Sequence, residues 1–202
     1  MKNGSLYYSM DQHPLKAHIN QIAPLTDIEA AAILSAGRKR SLKKNQLLLH
    51  EGDRCHADFF VLDGCLRQYF VDEKGKEHVV QFAFADWWIS DWYSILYQQP
   101  SYYYIEALDA SQVLQFDYEI LQSLFLEVPP LAKYFMVIFQ RSFAAQQRRI
   151  LWMQKEAKKR YQEFHSIYGH LERQLPQAQV ASYLGITRES LSRIKKELRN
   201  GV

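Results

Sequence analysis

Cysteine is scarce in this 202-residue sequence, which holds only Cys55 and Cys65. Two thiols build neither a disulfide framework nor a metal site of four cysteines. Long apolar runs are missing as well. No uncharged stretch approaches the roughly 20 residues that cross a bilayer. The opening MKNGSLYYSMDQHPLK has no continuous apolar core of the kind a signal peptide carries. The expectation is a cytoplasmic protein with no membrane partner. There are no internal repeats and no low-complexity linker. Catalytic signatures are lacking too. His50, His56 and His78 form no H-x-H pair of the sort a metal-dependent cupin enzyme uses. No phosphate loop, paired-carboxylate signature or Ser/His/Asp arrangement stands out. The sequence therefore predicts no enzyme, no bound metal and no cofactor.

What is present is an ordinary globular composition, 48% hydrophobic and 23% charged. The length suits one large domain, or a medium one with a small one. The net charge of +3 conceals an asymmetry. Residues 1–140 carry 12 Lys and Arg against 17 Asp and Glu, whereas residues 141–202 carry 13 against 5. A basic C-terminal part points to an anionic partner.

Along the chain, Pro14 to Ile22 reads as a helix. A second starts after Pro24, where Thr26 and Glu29 fit a capping box. From about residue 37 to 117 short apolar runs alternate with turn residues. Phe59 to Leu62 ends at Asp63-Gly64, Cys65 to Val71 at the turn 72–77, and His78 to Phe84, Ile105 to Leu108 and Val113 to Phe116 follow. That spacing predicts a β jelly roll. Pro129-Pro130 opens a helix to about residue 153, roughly 35 Å long at 1.5 Å per residue. Its apolar face is broad enough to predict packing on a second copy. Lys155 to Tyr168 reads as another amphipathic helix, ended by Gly169.

Residues 175–198, LPQAQVASYLGITRESLSRIKKEL, predict two short helices crossing at Gly185, the second capped by Thr187. Ile186, Leu191, Ile194 and Leu198 would pack inward. That is a helix-turn-helix, whose second helix sets its first turns against base edges. Arg bonds guanine O6 and N7 as a fork, and Glu accepts from cytosine N4. The candidate DNA-binding residues are Thr187, Arg188, Glu189, Ser190, Ser192, Arg193, Lys195 and Lys196, with the two lysines placed for phosphate.

The segment Thr187 to Ile194 resembles the recognition helix of the Crp/Fnr superfamily of bacterial regulators, whose R-E-[ST]-x-x-R pattern it repeats. Glu51-Gly52-Asp53 and Phe59-Phe60-Val61-Leu62-x-Gly64 resemble the early strands of a cyclic-nucleotide-binding-like roll. The resemblance spans residues 15–198. It implies an α+β protein: a cyclic-nucleotide-binding-like jelly-roll domain (1–128), a dimerisation helix (129–154) and a helix-turn-helix domain (155–202). It also implies transcription regulation by a homodimer on double-stranded DNA, with Arg188, Glu189 and Arg193 reading bases and RNA polymerase a candidate contact. After Leu198 only four residues remain, so the expected wing is not full and its backbone contacts are missing. Iron–sulfur sensing of the fumarate-nitrate type needs four cysteines, and two are present.

The run WWISDWYSILYQQPSYYY, residues 87–104, holds three of the four tryptophans and five of the thirteen tyrosines. In the resemblance it lies on the cyclic-nucleotide cassette G-E-L…R-[ST]-A. Asp91 falls on the ribose-binding acid, with Trp92 beside it. Ser101 stands where the phosphate-binding Arg belongs, and Tyr102 follows. Ser101 cannot neutralise a phosphate, so cyclic AMP is not expected to bind. The effector stays unknown. The candidate ligand residues are Asp91, Trp92, Ser101 and Tyr102. Two readings remain open: the aromatics line a pocket for an uncharged flat or apolar ligand, or they fill the old cavity, and the expectation is that it is filled. A protein-interaction module without DNA binding is the alternative from another class.

Overall fold

The computed structural model describes Ser9 and residues 12–200. Most of the N-terminal stretch in which a signal peptide was sought therefore lies outside the described residues, as do Gly201 and Val202, on which the expectation about the wing partly rests.

Helix α1 (Pro14–Asn20) and helix α2 (Asp27–Ala36) come first. The α2 start is the predicted capping box: Glu29 N–H donates to Thr26 Oγ1 and Thr26 N–H donates to Glu29 Oε2 at 2.8 Å. Helix α1 stops short of Ile22 because Ile22 and Ala23 both turn their N–H groups onto Ile19 O. Eight strands follow: β1 (Arg38–Leu42), β2 (Leu47–Leu49), β3 (Ala57–Asp63), β4 (Cys65–Val71), β5 (Glu77–Phe84), β6 (Trp88–Ile89), β7 (Tyr104–Ala107) and β8 (Ser111–Asp117). They form two four-stranded antiparallel sheets, ordered β1-β8-β3-β6 and β2-β7-β4-β5. This is the expected jelly roll. Gly64 makes the tight turn between β3 and β4 with φ of 89°, and a Cβ there would stand 2.3 Å from Ser111 Oγ.

Strand β3 is buried on both faces, and its period of two explains why. Ala57, Phe59 and Val61 enter the core between the sheets with Leu66, Ile89, Ile105 and Val113. Phe60 and Leu62 point the other way. With Leu114 and Phe116 they meet α1, α4 (Tyr118–Glu127) and the first turns of α5 (Pro129–Met153). The opposite sheet is covered too. Tyr69, Val79, Phe82 and Phe84 pack on Trp152, Phe164, Val180 and Leu184 from α5, α6 (Ala157–Tyr168) and α7 (Gln177–Leu184). The roll is thus a filling between two helical layers, and the C-terminal domain shares its core with β4 and β5.

Among the strands and α-helices, four have no counterpart in the sequence expectation: β1, β6, α3 (Trp92–Tyr97) and α4. Strand β1, RKRSL, is an edge strand paired only to β8 and exposed along most of its length, so no apolar alternation announces it. Helix α4 leaves Leu126 exposed and has no side-chain cap.

Candidate nucleic-acid interface and effector pocket

The nucleic-acid candidate is built on α7, Gly185 and α8 (Arg188–Arg199). Gly185 takes φ of 65°, and its N–H and that of Ile186 close on the carbonyls at the end of α7 at 3.0 Å. This left-handed cap reverses the chain cheaply only for glycine. Thr187 then caps α8, accepting from Ser190 N–H at 3.2 Å. Leu191 and Ile194 are buried beneath, so the opposite face is fixed outward. Arg188, Glu189, Ser192, Arg193 and Lys196 are all exposed on it, while Thr187 and Ser190 are spent on the cap.

Lys195 departs from its sequence assignment. Its ammonium is turned inward against Glu172 and Gln177 and lies 5.5 Å from the centre of the Tyr161 ring. Glu172 is 6% exposed. Burial pushes its carboxyl up, but hydrogen bonds from Lys195 and His165 outweigh that and hold it below the ordinary value. A lysine one turn beyond Leu191 was read as phosphate-facing, yet a buried acid nearby claims it.

The cassette residues converge on a knot. Asp91 caps α3, its Oδ1 accepting from Tyr93 N–H at 3.0 Å and Ser94 N–H at 3.2 Å. Its Oδ2 accepts from Ser101 Oγ at 2.7 Å. Both residues are buried, at 3% and 2% exposed. The acid in the ribose position and the serine in the arginine position thus satisfy each other. Trp92 packs edge-on to Phe139 of α5, ring centres 4.7 Å apart. Tyr102 is 66% exposed and lines no cavity beside Asp91.

The aromatics disperse into separate cores. Trp87 packs on Phe84 and Tyr168, and Trp88 donates its indole N–H to Tyr134 Oη at 2.8 Å. They do not fill the space between the roll and α5, which corrects the sequence expectation. A cavity of about 560 Å³ remains there, walled by Trp88, Trp92, Tyr103, Phe135 and Phe139, with Asp58 and Asp91 in its lining. Asp58, one strand residue before the predicted β3 start, was missed. The strand begins earlier because Ala57 pairs with Asp117 and Asp58 with Phe116. Asp58 is 1% exposed, and burial pushes its carboxyl up to about 7 against hydrogen-bonding contact from Ser90 and Phe59 N–H.

The two thiols are buried at 4% and 3% exposed, and burial pushes them up to about 11 for Cys55 and about 12 for Cys65. Among the described residues no group of three or more His, Cys, Asp and Glu is placed to hold a metal ion. No described helix is long and apolar enough to cross a membrane.

The cyclic nucleotide-binding domain family matches residues 39–127, the roll with α4. The chain is 27% identical over 169 residues to the fumarate and nitrate reduction regulatory protein of Vibrio cholerae, covering 78% of this chain and 67% of that protein. It is 25% identical over 174 residues to the anaerobic regulatory protein of Pasteurella multocida, covering 80% of this chain and 63% of that protein. The chain thus spans about two thirds of the length of these relatives. Among solved structures, the catabolite activator protein of Thermus thermophilus aligns with a TM-score of 0.56 at 18% identity, over 92% of this chain and 88% of that one. The c-di-GMP responsive global regulator of Xanthomonas campestris aligns with a TM-score of 0.67 at 14% identity, over 87% and 93%. Those likenesses concern the fold. Roll, long helix and helix-turn-helix occur in the order that the resemblance to Crp/Fnr regulators implies, and the roll with α4 is similar to the cyclic nucleotide-binding domain family.

Proposed function

We propose that this chain is a DNA-binding transcription regulator that acts as a homodimer in the cytoplasm, with RNA polymerase as a further contact, and that it is not an enzyme. The observation that carries the reading is the exposed row Arg188, Glu189 and Arg193 on the first turns of a helix anchored from behind by Leu191 and Ile194. A helix so presented fits a major groove, where Arg and Glu discriminate bases. The regulator names carried by its relatives support the same reading.

Arg188→Ala and Arg193→Ala should each lose roughly 1–3 kcal/mol of discrimination between a selected operator and scrambled DNA. Lys196→Ala should weaken all sequences alike and lower the salt slope by about 1. Selection of bound fragments from random DNA, followed by gel-shift titration of the winners, measures both. An Arg193→Ala protein that discriminates as wild type does would remove the base-reading role. No shift for the wild type at low salt would favour a protein-interaction module instead.

Dimerisation rests on α5. On the side of α5 turned away from the roll, Phe143, Ile150 and Leu151 are 66%, 67% and 69% exposed. A monomer rarely leaves such a stripe to water. Phe143→Asp is expected to turn a dimer into a monomer in sedimentation equilibrium, while the roll, which does not use Phe143, keeps its melting transition.

A further inference from the structure

We infer that the cavity between the roll and α5 binds a small organic cation, an ammonium group carried on an apolar or aromatic body. This deepens the regulator reading by naming the effector class, and depends on that reading only for its consequence in the cell.

Asp58 and Asp91 line the cavity, and among the described residues neither stands in an ion pair. Asp91 has its oxygens occupied by α3 and Ser101. Asp58 does not: its one well-formed hydrogen bond is to Phe59 N–H at 2.9 Å. Ser90 Oγ, on a residue 9% exposed, also lines the cavity and lies near Asp58, but it has no partner in hydrogen-bond geometry. Gln68, 6% exposed, adds a third polar group and donates to Ser90 O at 3.3 Å. A buried acid with no counterion, beside a hydroxyl with no partner in hydrogen-bond geometry, is costly unless something fills the space.

An ammonium group would meet both. It would form a charge-assisted hydrogen bond with Asp58 and give Ser90 Oγ a donor. The rings of Trp88, Trp92, Tyr103, Phe135 and Phe139 offer the apolar walls and π faces that hold cations. The volume, about 560 Å³, suits a small ligand.

Anions fit badly. The one basic residue in the lining is Arg149. Its guanidinium lies 4.0 Å over the Tyr183 ring and donates to Val79 O and Tyr183 O at 3.4 and 3.3 Å, on the side of α7. A phosphate or carboxylate would face two acids, Asp58 and Asp91, against the single Arg149, whose Nη1 has no partner. A neutral ligand could donate a hydrogen bond to Asp58 but would bring it no countercharge.

The test uses three bodies, phenylethyl, cyclohexyl and butyl, each as ammonium, alcohol and carboxylate. They are titrated into the full DNA-free chain by tryptophan fluorescence and thermal shift. At least one ammonium is expected to bind about tenfold tighter than its matching alcohol and carboxylate. Asp58→Asn should bring it down to the alcohol. Equal or tighter binding of the alcohol or carboxylate overturns the proposal. So does the absence of saturable binding by all three ammonium compounds at millimolar concentration, or an Asp58→Asn protein with its cation preference intact. The wild-type series decides by itself if the variant folds poorly. Because no DNA is present, a failure here is distinct from a failure of the regulator reading, which the gel shift reads.

Discussion

Arg67→Ala is expected to lower the unfolding free energy by about 3–5 kcal/mol, the cost of stranding a buried charge partner. Arg67 lies in β4 with its side chain 6% exposed, and Glu106 opposite on β7 has its side chain 12% exposed. The Arg67 Nε donates to Glu106 Oε2 at 2.8 Å, and a second nitrogen reaches the same oxygen at 2.5 Å. A third reaches Glu77 and also Gln179 Oε1, the latter at 2.6 Å. The guanidinium carbon lies 3.9 Å from the Tyr69 ring centre. Alanine would leave Glu106 in the sheet with no counterion, and that penalty dominates the loss of packing. Arg67→Lys should recover little, because a single ammonium cannot reproduce a fork that serves two strands and a helix. Urea unfolding of Arg67→Ala, Glu106→Gln and the double variant measures this. The double variant should be more stable than the sum of the singles implies, since the stranded charge is gone. If Arg67→Ala falls within half a kcal/mol of wild type, the pair is ornamental.

Gln179 gives the same cluster a second role. It belongs to α7, so Arg67 ties the roll to the helix-turn-helix. Ser182 adds two bonds at that seam, accepting from Val79 N–H at 3.0 Å and donating to Glu77 O at 2.8 Å. Arg149 spans β5 and α7 from the long helix, through Val79 O and Tyr183 O. The helix-turn-helix is therefore seated on the roll through α7 against strands β4 and β5. A change in how β4 and β5 lie has a short path to α8.

Much of this was readable beforehand, for local reasons. The Thr26–Glu29 box and the turns at Gly64 and Gly185 are fixed by neighbours in sequence, and all three form as expected. The outward row of α8 follows from its helical period once Leu191 and Ile194 are taken as its floor. The misses are non-local. Lys195 was placed by its position on α8, whereas its partner Glu172 lies 23 residues earlier and is buried by the fold. Asp91 and Ser101 were located by resemblance, but their mutual bond depends on how α3 closes the loop. Asp58 left a legible sign: it shares strand parity with Phe60 and Leu62, which face the core under α1 and α4. An acid at a core parity position is an anomaly once the strand is begun at Ala57.

That anomaly sets the pH dependence of stability. Asp58 is raised from an unfolded value of 3.8 to about 7 in the fold, chiefly by burial. An acid raised on folding holds its proton longer in the native state, so between about pH 4 and 7 the native chain binds more protons than the unfolded one. Stability from this group is therefore full below pH 4, falls as pH rises through that window, and stays low above it. At 1.36 kcal/mol per pH unit across that window the loss is on the order of 4 kcal/mol. His13 and His18 act oppositely over part of the range, because burial lowers both and charging them as pH falls costs stability. The wild-type curve alone thus mixes the two. The difference between wild type and Asp58→Asn isolates the acid. Asparagine keeps an oxygen for Phe59 N–H and offers an amide to Ser90 Oγ, which has no partner. Asp58→Asn should match wild type near pH 4 and exceed it by about 4 kcal/mol at pH 8, measured by urea unfolding at each pH. A difference that stays flat from pH 4 to 8 would show that the Asp58 carboxyl titrates normally in the fold and is open to water.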